Sequence, residues 1–224
     1  MTSRAKLIAY VGPMAVFMGL LALTSLVRFS GASFWFQHSE FWIFPLQTVV
    51  CGVMLWRYWK AYDLERPRML WFGVVVGVVV FFIWIAPQAF LRFAARTDGF
   101  NPDLFVAQPA FFWSTVAFRF LRLVVVVPLV EEIFWRGFLL RYLIDENFDR
   151  VTVGTFGWVS FVTVTLAFAL AHSMPDWPAA ILTGVLYNLL AYRTKSLSSC
   201  VIAHALTNLL LGAWIMQTKQ WGFW

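Results

Sequence analysis

The chain has 224 residues and a formal net charge of +6; 61% of its residues are hydrophobic and only 12% are charged. A soluble domain usually contains about 45–50% apolar and about 25% charged residues, so one soluble core could not bury this much apolar surface. Two cysteines do not make a disulfide scaffold, and the composition excludes disorder. The basic residues are scattered and flank apolar runs, which argues against a nucleic-acid partner. The composition predicts an all-α, polytopic transmembrane helix bundle embedded in a lipid bilayer.

A transmembrane helix needs about 20 mostly apolar residues, and the sequence offers about seven such runs. In chain order they are 7–27, 41–59, 69–91, one within 111–143, 153–172, 177–192 and 198–216. The first run is long for a signal peptide and no convincing cleavage site follows it, so it is interpreted as an uncleaved helix. The stretch 92–108 is predicted to be a loop, and Pro109 to begin a short interfacial helix before the fourth span.

The distribution of Lys and Arg among the loops predicts the orientation of the bundle. With the N-terminus inside, ten of the counted basic residues lie in inside loops and six in outside loops. The six are Arg28, Arg92, Arg96, Arg119, Arg122 and Lys219. This moderate positive-inside bias predicts a multi-pass protein with its N-terminus inside and, after seven spans, its C-terminus outside.

Three polar clusters interrupt the apolar spans, where an ionisable residue costs about 2.5–3.5 kcal/mol on insertion scales. In the first, Glu131, Glu132 and Arg136 come directly after an apolar run. Glu132 and Arg136 are four residues apart and share a helix face, in the acid-before-base order that favours pairing. Glu131 points about 100° away, has no partner on its own helix, and is a candidate proton acceptor. The alternative is that both carboxylates are merely solvated at the cytoplasmic end of the helix.

The other two clusters lie in later spans. Phe168 and His172 are four residues apart and share a helix face; alone, such a histidine is equally well a hydrogen-bonded core residue. His204 and Asn208 are also four apart and project together. Either could join helices through hydrogen bonds, but two polar residues on one face are better suited to lining a cavity.

Three helices with one polar face each predict a shared interior site. A carboxylate with a histidine can activate a water molecule, and a histidine with an asparagine amide can donate hydrogen bonds to an oxyanion. This set suits hydrolysis of an amide bond. The sequence contains neither Gly-x-Ser-x-Gly nor His-Glu-x-x-His. Glu131, His172 and His204 could still bind zinc, because metal ligands need not be close in sequence.

Evenly spaced spans do not bring these residues to one depth. Glu131 and His204 fall toward the inner face of the membrane and His172 toward the outer face. They meet if the fourth helix starts near Arg119 and the fifth near Trp158, because helices shifted or tilted in this way can surround a water-filled cavity.

The three motifs, in this order on separate apolar helices, resemble the CPBP family of intramembrane proteases, which includes the CAAX prenyl endopeptidase Rce1 type. The family pattern is Glu-Glu-x-x-x-Arg, then Phe-x-x-x-His, then His-x-x-x-Asn or His-x-x-x-Asp. It is matched here by Glu131, Glu132, Arg136, Phe168, His172, His204 and Asn208. The resemblance implies a catalytic transmembrane core over 111–224 after variable N-terminal helices over 1–110, in the compact form of prokaryotic plasma membranes.

What the resemblance implies is an intramembrane endopeptidase whose substrate is a membrane-bound or lipidated protein or peptide. In CAAX-type members the cleaved bond follows a prenylated cysteine. Glu131 and His172 would activate the attacking water, and His204 and Asn208 would form the oxyanion hole. The supporting residues would be Glu132, Arg136 and Phe168. A mechanism without a metal cofactor is preferred, with zinc as the alternative, because asparagine is a poor zinc ligand but a good oxyanion donor.

Two other functional classes stay open at this point. A proton-coupled transporter could use Glu131 and the histidines as a relay, although no pair of broken helices recurs in the two halves of the chain. A non-catalytic membrane scaffold or bacteriocin-immunity protein would tolerate the loss of Glu131, whereas a protease of the proposed type would not.

Overall fold

The computed structural model describes residues 3–28 and 33–224, and this part of the chain is all-helical, as the composition predicts. Its helices are α1 (Ser3–Leu26), α2 (Phe34–Gln37), α3 (Glu40–Arg57), α4 (Leu70–Ala89), α5 (Pro109–Tyr142), α6 (Trp158–Leu170), α7 (Trp177–Thr194) and α8 (Leu197–Thr218). Single 3₁₀ turns lie at Trp59–Ala61, Pro102–Phe105, Phe148–Arg150, Met174–Asp176 and Trp221–Phe223.

Four of these helices, α1, α4, α5 and α8, are long and apolar enough to cross a membrane. The chain is therefore a multi-pass integral membrane protein. The other predicted spans correspond to α3, to α7 and to α6, an apolar helix of only 13 residues. The number of crossings and the orientation in the membrane stay predictions.

Apart from the one-turn α2, successive helices run in alternating directions and gather the loops at two ends of the bundle. The proximal end holds the start of α1 and the loops 58–69, 143–157 and 195–196; there the Tyr10 hydroxyl donates to Asp63 Oδ2 over 3.1 Å. The distal end holds the loops 90–108 and 171–176 and the segment 219–224. At that end Lys219 Nζ donates to Asp103 Oδ2 over 2.7 Å.

Helix α5 carries the first motif and is continuous over 34 residues. At 1.5 Å per residue it is about 51 Å long, more than the roughly 30 Å of a hydrocarbon core. Two π-helical segments, Arg122–Val126 and Ile133–Leu139, interrupt its α-helical hydrogen bonding on either side of the two glutamates. Such segments are frequent at functional sites because they change the direction of the side chains that follow.

Two sequence-based assignments near the start of α5 are wrong. Pro109 is the first residue of α5 itself and does not begin a separate interfacial helix. Arg119 and Arg122 lie within α5, with only 4% and 5% of their surface exposed, and not in an outside loop. The physical reason is that the guanidinium groups of both arginines are covered by aromatic rings, including that of Phe44 on α3, so the apolar helix begins well before Leu123.

Helices α4 and α8 pack backbone to backbone. A Cβ added at Gly77 on α4 would lie 2.6 Å from the carbonyl oxygen of Ala203 on α8. The Thr207 hydroxyl on α8 donates to the Gly77 carbonyl over 2.7 Å. This close approach fixes the segment of α8 that carries the third motif, between Ala203 and Asn208.

Candidate active site

The glutamate–arginine pair of the first motif is formed as predicted. Arg136 Nη1 donates to Glu132 Oε1 over 3.0 Å, and both side chains are fully buried. The same Oε1 atom accepts a hydrogen bond from His204 Nδ1 over 2.9 Å. A carboxylate on α5 therefore holds a histidine of α8 in place, a contact that sequence spacing did not predict.

Arg136 is held by further groups, which a buried charge requires. Its Nε donates to Asn188 Oδ1 on α7 over 3.1 Å, and Asn188 Nδ2 donates to Thr165 Oγ1 on α6 over 3.1 Å. The guanidinium also lies over the rings of Phe168 and Tyr187, 5.0 and 5.4 Å from their centroids. The arginine thus joins α5, α6 and α7 and supports the helix that carries both glutamates.

Glu131 has a different environment from its neighbour. It is half-buried and lines a cavity of about 340 Å³. Its Oε2 atom is buried without a hydrogen-bond partner within the described part of the chain, as is Oε2 of Glu132, but Glu131 has no counterpart of the bonds that Glu132 Oε1 accepts from Arg136 and His204. A carboxylate oxygen that is buried without a donor is costly unless something else occupies the site, so the geometry fits a group that binds water or substrate.

His172 follows the end of α6, and its orientation is fixed. Its Nδ1 lies 2.8 Å from the carbonyl oxygen of Phe168. Because a carbonyl oxygen only accepts, Nδ1 carries the proton and Nε2 of the neutral ring is left as an acceptor. The rings of Phe168 and Trp84 pack against the imidazole, with centroids 4.8 and 5.5 Å away. Trp84 is itself fixed by donating its indole N–H to Thr183 Oγ1 over 3.0 Å.

His204 and Asn208 lie one turn apart on α8. Asn208 Nδ2 donates one hydrogen bond to the carbonyl of Leu123, in the first π segment of α5, over 2.8 Å. An amide nitrogen carries two hydrogens, so the second is free to donate elsewhere. The Tyr187 ring packs on His204 with centroids 5.4 Å apart.

The structure brings the predicted residues of the three motifs to one place. Glu131, His172, His204 and Asn208 all line the same cavity. Glu132 and Arg136 lie fully buried on the same helix as Glu131. Phe168 also lines the cavity. Their chemical roles stay predictions.

The heights of the four cavity residues can be counted from the proximal end, where α5 ends and α6 and α8 begin. At 1.5 Å per residue, Glu131 and Asn208 lie about 16 Å from that end, His204 about 10 Å, and the last residue of α6, two before His172, about 18 Å. These positions differ by about two helical turns at most, so the side chains can line one cavity. The late start of α6, at Trp158, is one of the two shifts that the sequence required. Helix α5 starts earlier than expected, at Pro109, so that 22 of its residues precede Glu131 and 11 follow it.

The choice between a metal-free mechanism and zinc stays a prediction. Over residues 3–28 and 33–224, no group of three or more His, Cys, Asp and Glu side chains is placed to hold a metal ion. Glu131, His172 and His204 share a cavity without forming such a group. A role for zinc is therefore a matter for the chelator experiment below.

A multi-pass bundle that encloses a carboxylate, two imidazoles and an amide around one cavity has the composition of an intramembrane hydrolase. Residues 112–210 match a family described as Rce1-like, type II CAAX prenyl endopeptidase Rce1-like. The chain thus carries an Rce1-like (CPBP) domain over these residues, and it is an intramembrane protease. All seven motif residues, from Glu131 to Asn208, fall within the matched stretch. Comparison with curated proteins and with solved structures found no match.

Several residues around the site were not predicted from the sequence. Asn188 is a lone amide in an apolar span, the same signal that singled out Asn208, and it could have been found in that way. Trp84 and Tyr187 carry no such signal, because aromatic residues are common throughout this chain. Arg122 also lines the cavity, and its assignment to a loop concealed it.

Proposed function

We propose that this protein hydrolyses a peptide bond of a membrane-associated protein or peptide, prenylated substrates included, by a metal-free glutamate mechanism. The observation that carries the proposal is the position of Glu131. Its side chain lines the cavity that also contains His172, His204 and Asn208, whereas Glu132, which is paired with Arg136 and His204, does not line it.

In the first step, Glu131 acts on a water molecule in the cavity. The carboxylate takes a proton from the water as the water oxygen bonds to the carbonyl carbon of the substrate, and the C=O π electrons move onto the carbonyl oxygen. The free Nε2 atom of His172 accepts the second hydrogen bond from the water and so directs its lone pair at the carbonyl carbon. Because Nδ1 of His172 is tied to Phe168, the ring already presents Nε2 in the required tautomer.

His204 and Asn208 then stabilise the oxyanion. With Nδ1 bound to the Glu132 carboxylate, His204 in its imidazolium form offers an Nε2–H donor, and Asn208 offers its second amide hydrogen. Donors of this kind each contribute about 10²–10³ in kcat. When the tetrahedral intermediate collapses, the C–N bond breaks and the leaving amine takes its proton from Glu131, so the carboxylate is regenerated.

The apolar wall of the cavity supports a lipidated or membrane-embedded substrate. Met14, Phe17 and Leu21 of α1 line it on one side and Val80 of α4 on another. An acyl or prenyl chain against these side chains would lose contact with water at roughly 0.8 kcal/mol per methylene. The Rce1-like domain is in keeping with this substrate class.

The test compares the purified wild type with Glu131→Gln and with the matched control Glu65→Gln, an exposed glutamate far from the cavity. Each is offered a panel of lipidated and unlipidated membrane peptides, with and without a zinc chelator. We expect Glu131→Gln to lower turnover by about 10²–10⁴-fold, the usual contribution of a general base, and the control to keep wild-type activity. The chelator should have no effect.

Loss of activity with chelator and its return with zinc would overturn the metal-free mechanism but keep the enzyme class. Full activity of Glu131→Gln would overturn the assigned role of Glu131.

A further inference from the structure

Arg122 is a buried cation that the proposed mechanism does not use. It lies in the first π segment of α5 with 5% of its surface exposed, and it lines the same cavity as Glu131 and Asn208. Ionisable groups at such positions are expensive and are functional by default.

The guanidinium of Arg122 is held in place by neutral groups. Its Nε donates to Gln47 Oε1 over 2.6 Å, and Gln47 is fixed in turn by donating Nε2 to the Phe17 carbonyl over 2.6 Å. The rings of Phe44 and Phe17 lie 4.4 and 5.0 Å from the guanidinium carbon. The side chain is therefore oriented without being neutralised.

Among the residues that the structure describes, no Asp or Glu forms an ion pair with Arg122. Glu131 is within electrostatic range, yet no hydrogen bond joins the two side chains. The two Nη atoms of Arg122 have no acceptor in the described protein. Buried donors without an acceptor are costly, so the Nη atoms of Arg122 are expected to bind a group that occupies the cavity.

One turn earlier, Arg119 adds to the positive field. It is 4% exposed, and its Nε and Nη1 atoms are buried without a hydrogen-bond partner in the described part of the chain. Its guanidinium stacks between Phe44 and Phe100, 4.8 Å from each ring. Arg119 does not line the main cavity, so it raises the potential there without offering a contact.

We propose that Arg122 binds the C-terminal carboxylate of the substrate, an inference that rests on the proposed function. Two Nη donors facing a cavity match a carboxylate, which pairs with guanidinium in a bidentate geometry. Glu131 lies nine residues further along α5, about 13 Å along the helix axis. An extended peptide covers 3.3–3.6 Å per residue, so this axial separation is an upper bound, and a carboxylate on Arg122 would place a bond within about four residues of the C-terminus near Glu131.

The first arm of the test measures binding, which needs no turnover. The probe is a fluorescent peptide that ends in S-farnesylcysteine and three apolar residues, made with a free C-terminal carboxylate and, for comparison, with a C-terminal amide. On the Glu131→Gln background we expect the acid to bind at least tenfold more tightly than the amide. Adding Arg122→Gln should remove this preference, and adding Arg122→Lys should restore part of it. Adding Arg66→Gln, at an exposed arginine, should leave it intact.

The second arm measures cleavage of the same two peptides by proteins with Glu131 intact. We expect the ratio of kcat/KM for acid over amide to be at least ten in the wild type and near one in Arg122→Gln. The loss of preference should come from a higher KM for the acid peptide. Equal binding of acid and amide on the Glu131→Gln background would overturn the proposal. An equal fall in kcat/KM for both peptides in Arg122→Gln would also overturn the proposal, because Arg122 would then act only on Glu131 and not on the substrate carboxylate.

Failure of the proposed function is distinguishable from these results. It would appear as full activity of Glu131→Gln, whereas the acid preference in binding is decided separately. If Arg122→Gln does not purify as a folded protein, Arg122→Lys decides, because it keeps the charge and loses the bidentate geometry.

Discussion

At the residue scale, the buried charges of the site fall into two groups. Glu132, Arg136 and His204 are joined by hydrogen bonds through Glu132 Oε1, whereas Glu131 and Arg122 line the cavity and form no ion pair within the described part of the chain. Paired buried charges serve assembly, because removing one member leaves the other uncompensated. Unpaired buried charges are tolerated only where a ligand or a water molecule supplies the missing hydrogen bonds. Pairing therefore separates the groups expected to hold the fold from those expected to act on substrate.

We predict that Arg136→Met destabilises the protein by about 3–5 kcal/mol, because Glu132 would lose its charge partner in a fully buried position. The matched control is Arg66→Met, at an exposed arginine, which should change stability by less than about 0.5 kcal/mol. Reversible unfolding in mixed micelles measures both. Equal unfolding curves for Arg136→Met and the wild type would show that the pair contributes nothing to the fold.

The sequence identified much of the site, because side chains four residues apart on a helix must project together. That rule identified the Glu132–Arg136 pair, which the structure confirms. It could not identify the contact of Glu132 with His204, since the two lie on different helices. Nor could it identify Trp84, whose contact with His172 depends on how α4 packs against α6 and α7.

At the scale of elements, the contact between α4 and α8 limits what can stand at Gly77. We predict that Gly77→Ala lowers stability by about 1–3 kcal/mol, the usual cost of overpacking, because the new Cβ would meet the backbone oxygen of Ala203 at 2.6 Å. Activity should fall as well, since the shift moves His204 and Asn208. Gly52→Ala is the control: nothing lies within 4 Å of its Cβ, and alanine is the better helix former by about 1 kcal/mol. Equal thermal unfolding temperatures for Gly77→Ala and Gly52→Ala would contradict this account.

The boundaries and irregularities of α5 were the least predictable elements. Hydropathy located the fourth span within 111–143 but did not identify the residues at which it begins and ends. The π segments at Arg122–Val126 and Ile133–Leu139 each include a buried arginine that is held by other helices. A local pattern does not contain such contacts, so neither the segments nor the burial of Arg122 could be predicted from it.

At the scale of the whole molecule, the alternation of the helices predicts which loops share a side of the membrane. Single cysteines at Gln108 and Glu146, both exposed, lie on opposite ends of the bundle. In a background with Cys51 and Cys200 replaced, we expect a membrane-impermeant maleimide to label Gln108→Cys in intact cells and Glu146→Cys only after lysis. The reverse pattern would invert the predicted orientation. Labelling of both from one side would contradict a single crossing by α5.

The cavity also shows how the two halves of the chain depend on each other. The expected division into 1–110 and 111–224 separates the motifs from the helices before them, yet α1 and α4 supply walls of the same cavity, through Phe17 and Trp84 among others. From the sequence, an apolar residue that lines a cavity cannot be told apart from an apolar residue that faces lipid. The contribution of the first half was therefore not predictable from composition or spacing.

The contrast between Glu131 and Glu132 has a consequence for how the protein tolerates change. Glu132 accepts two hydrogen bonds at Oε1, from Arg136 and from His204, and these offset the cost of its own unpartnered Oε2. Glu131 keeps a buried Oε2 without a donor and has no such pairing, at a cost of about 1–3 kcal/mol. In a library of variants sorted only for abundance in the membrane, position 132 would remain glutamate and position 131 would drift to neutral residues. Sorting the same library for turnover would bring glutamate back at 131. The two adjacent glutamates are thus under different selection: Glu132 is kept for the stability of the protein and Glu131 for its activity.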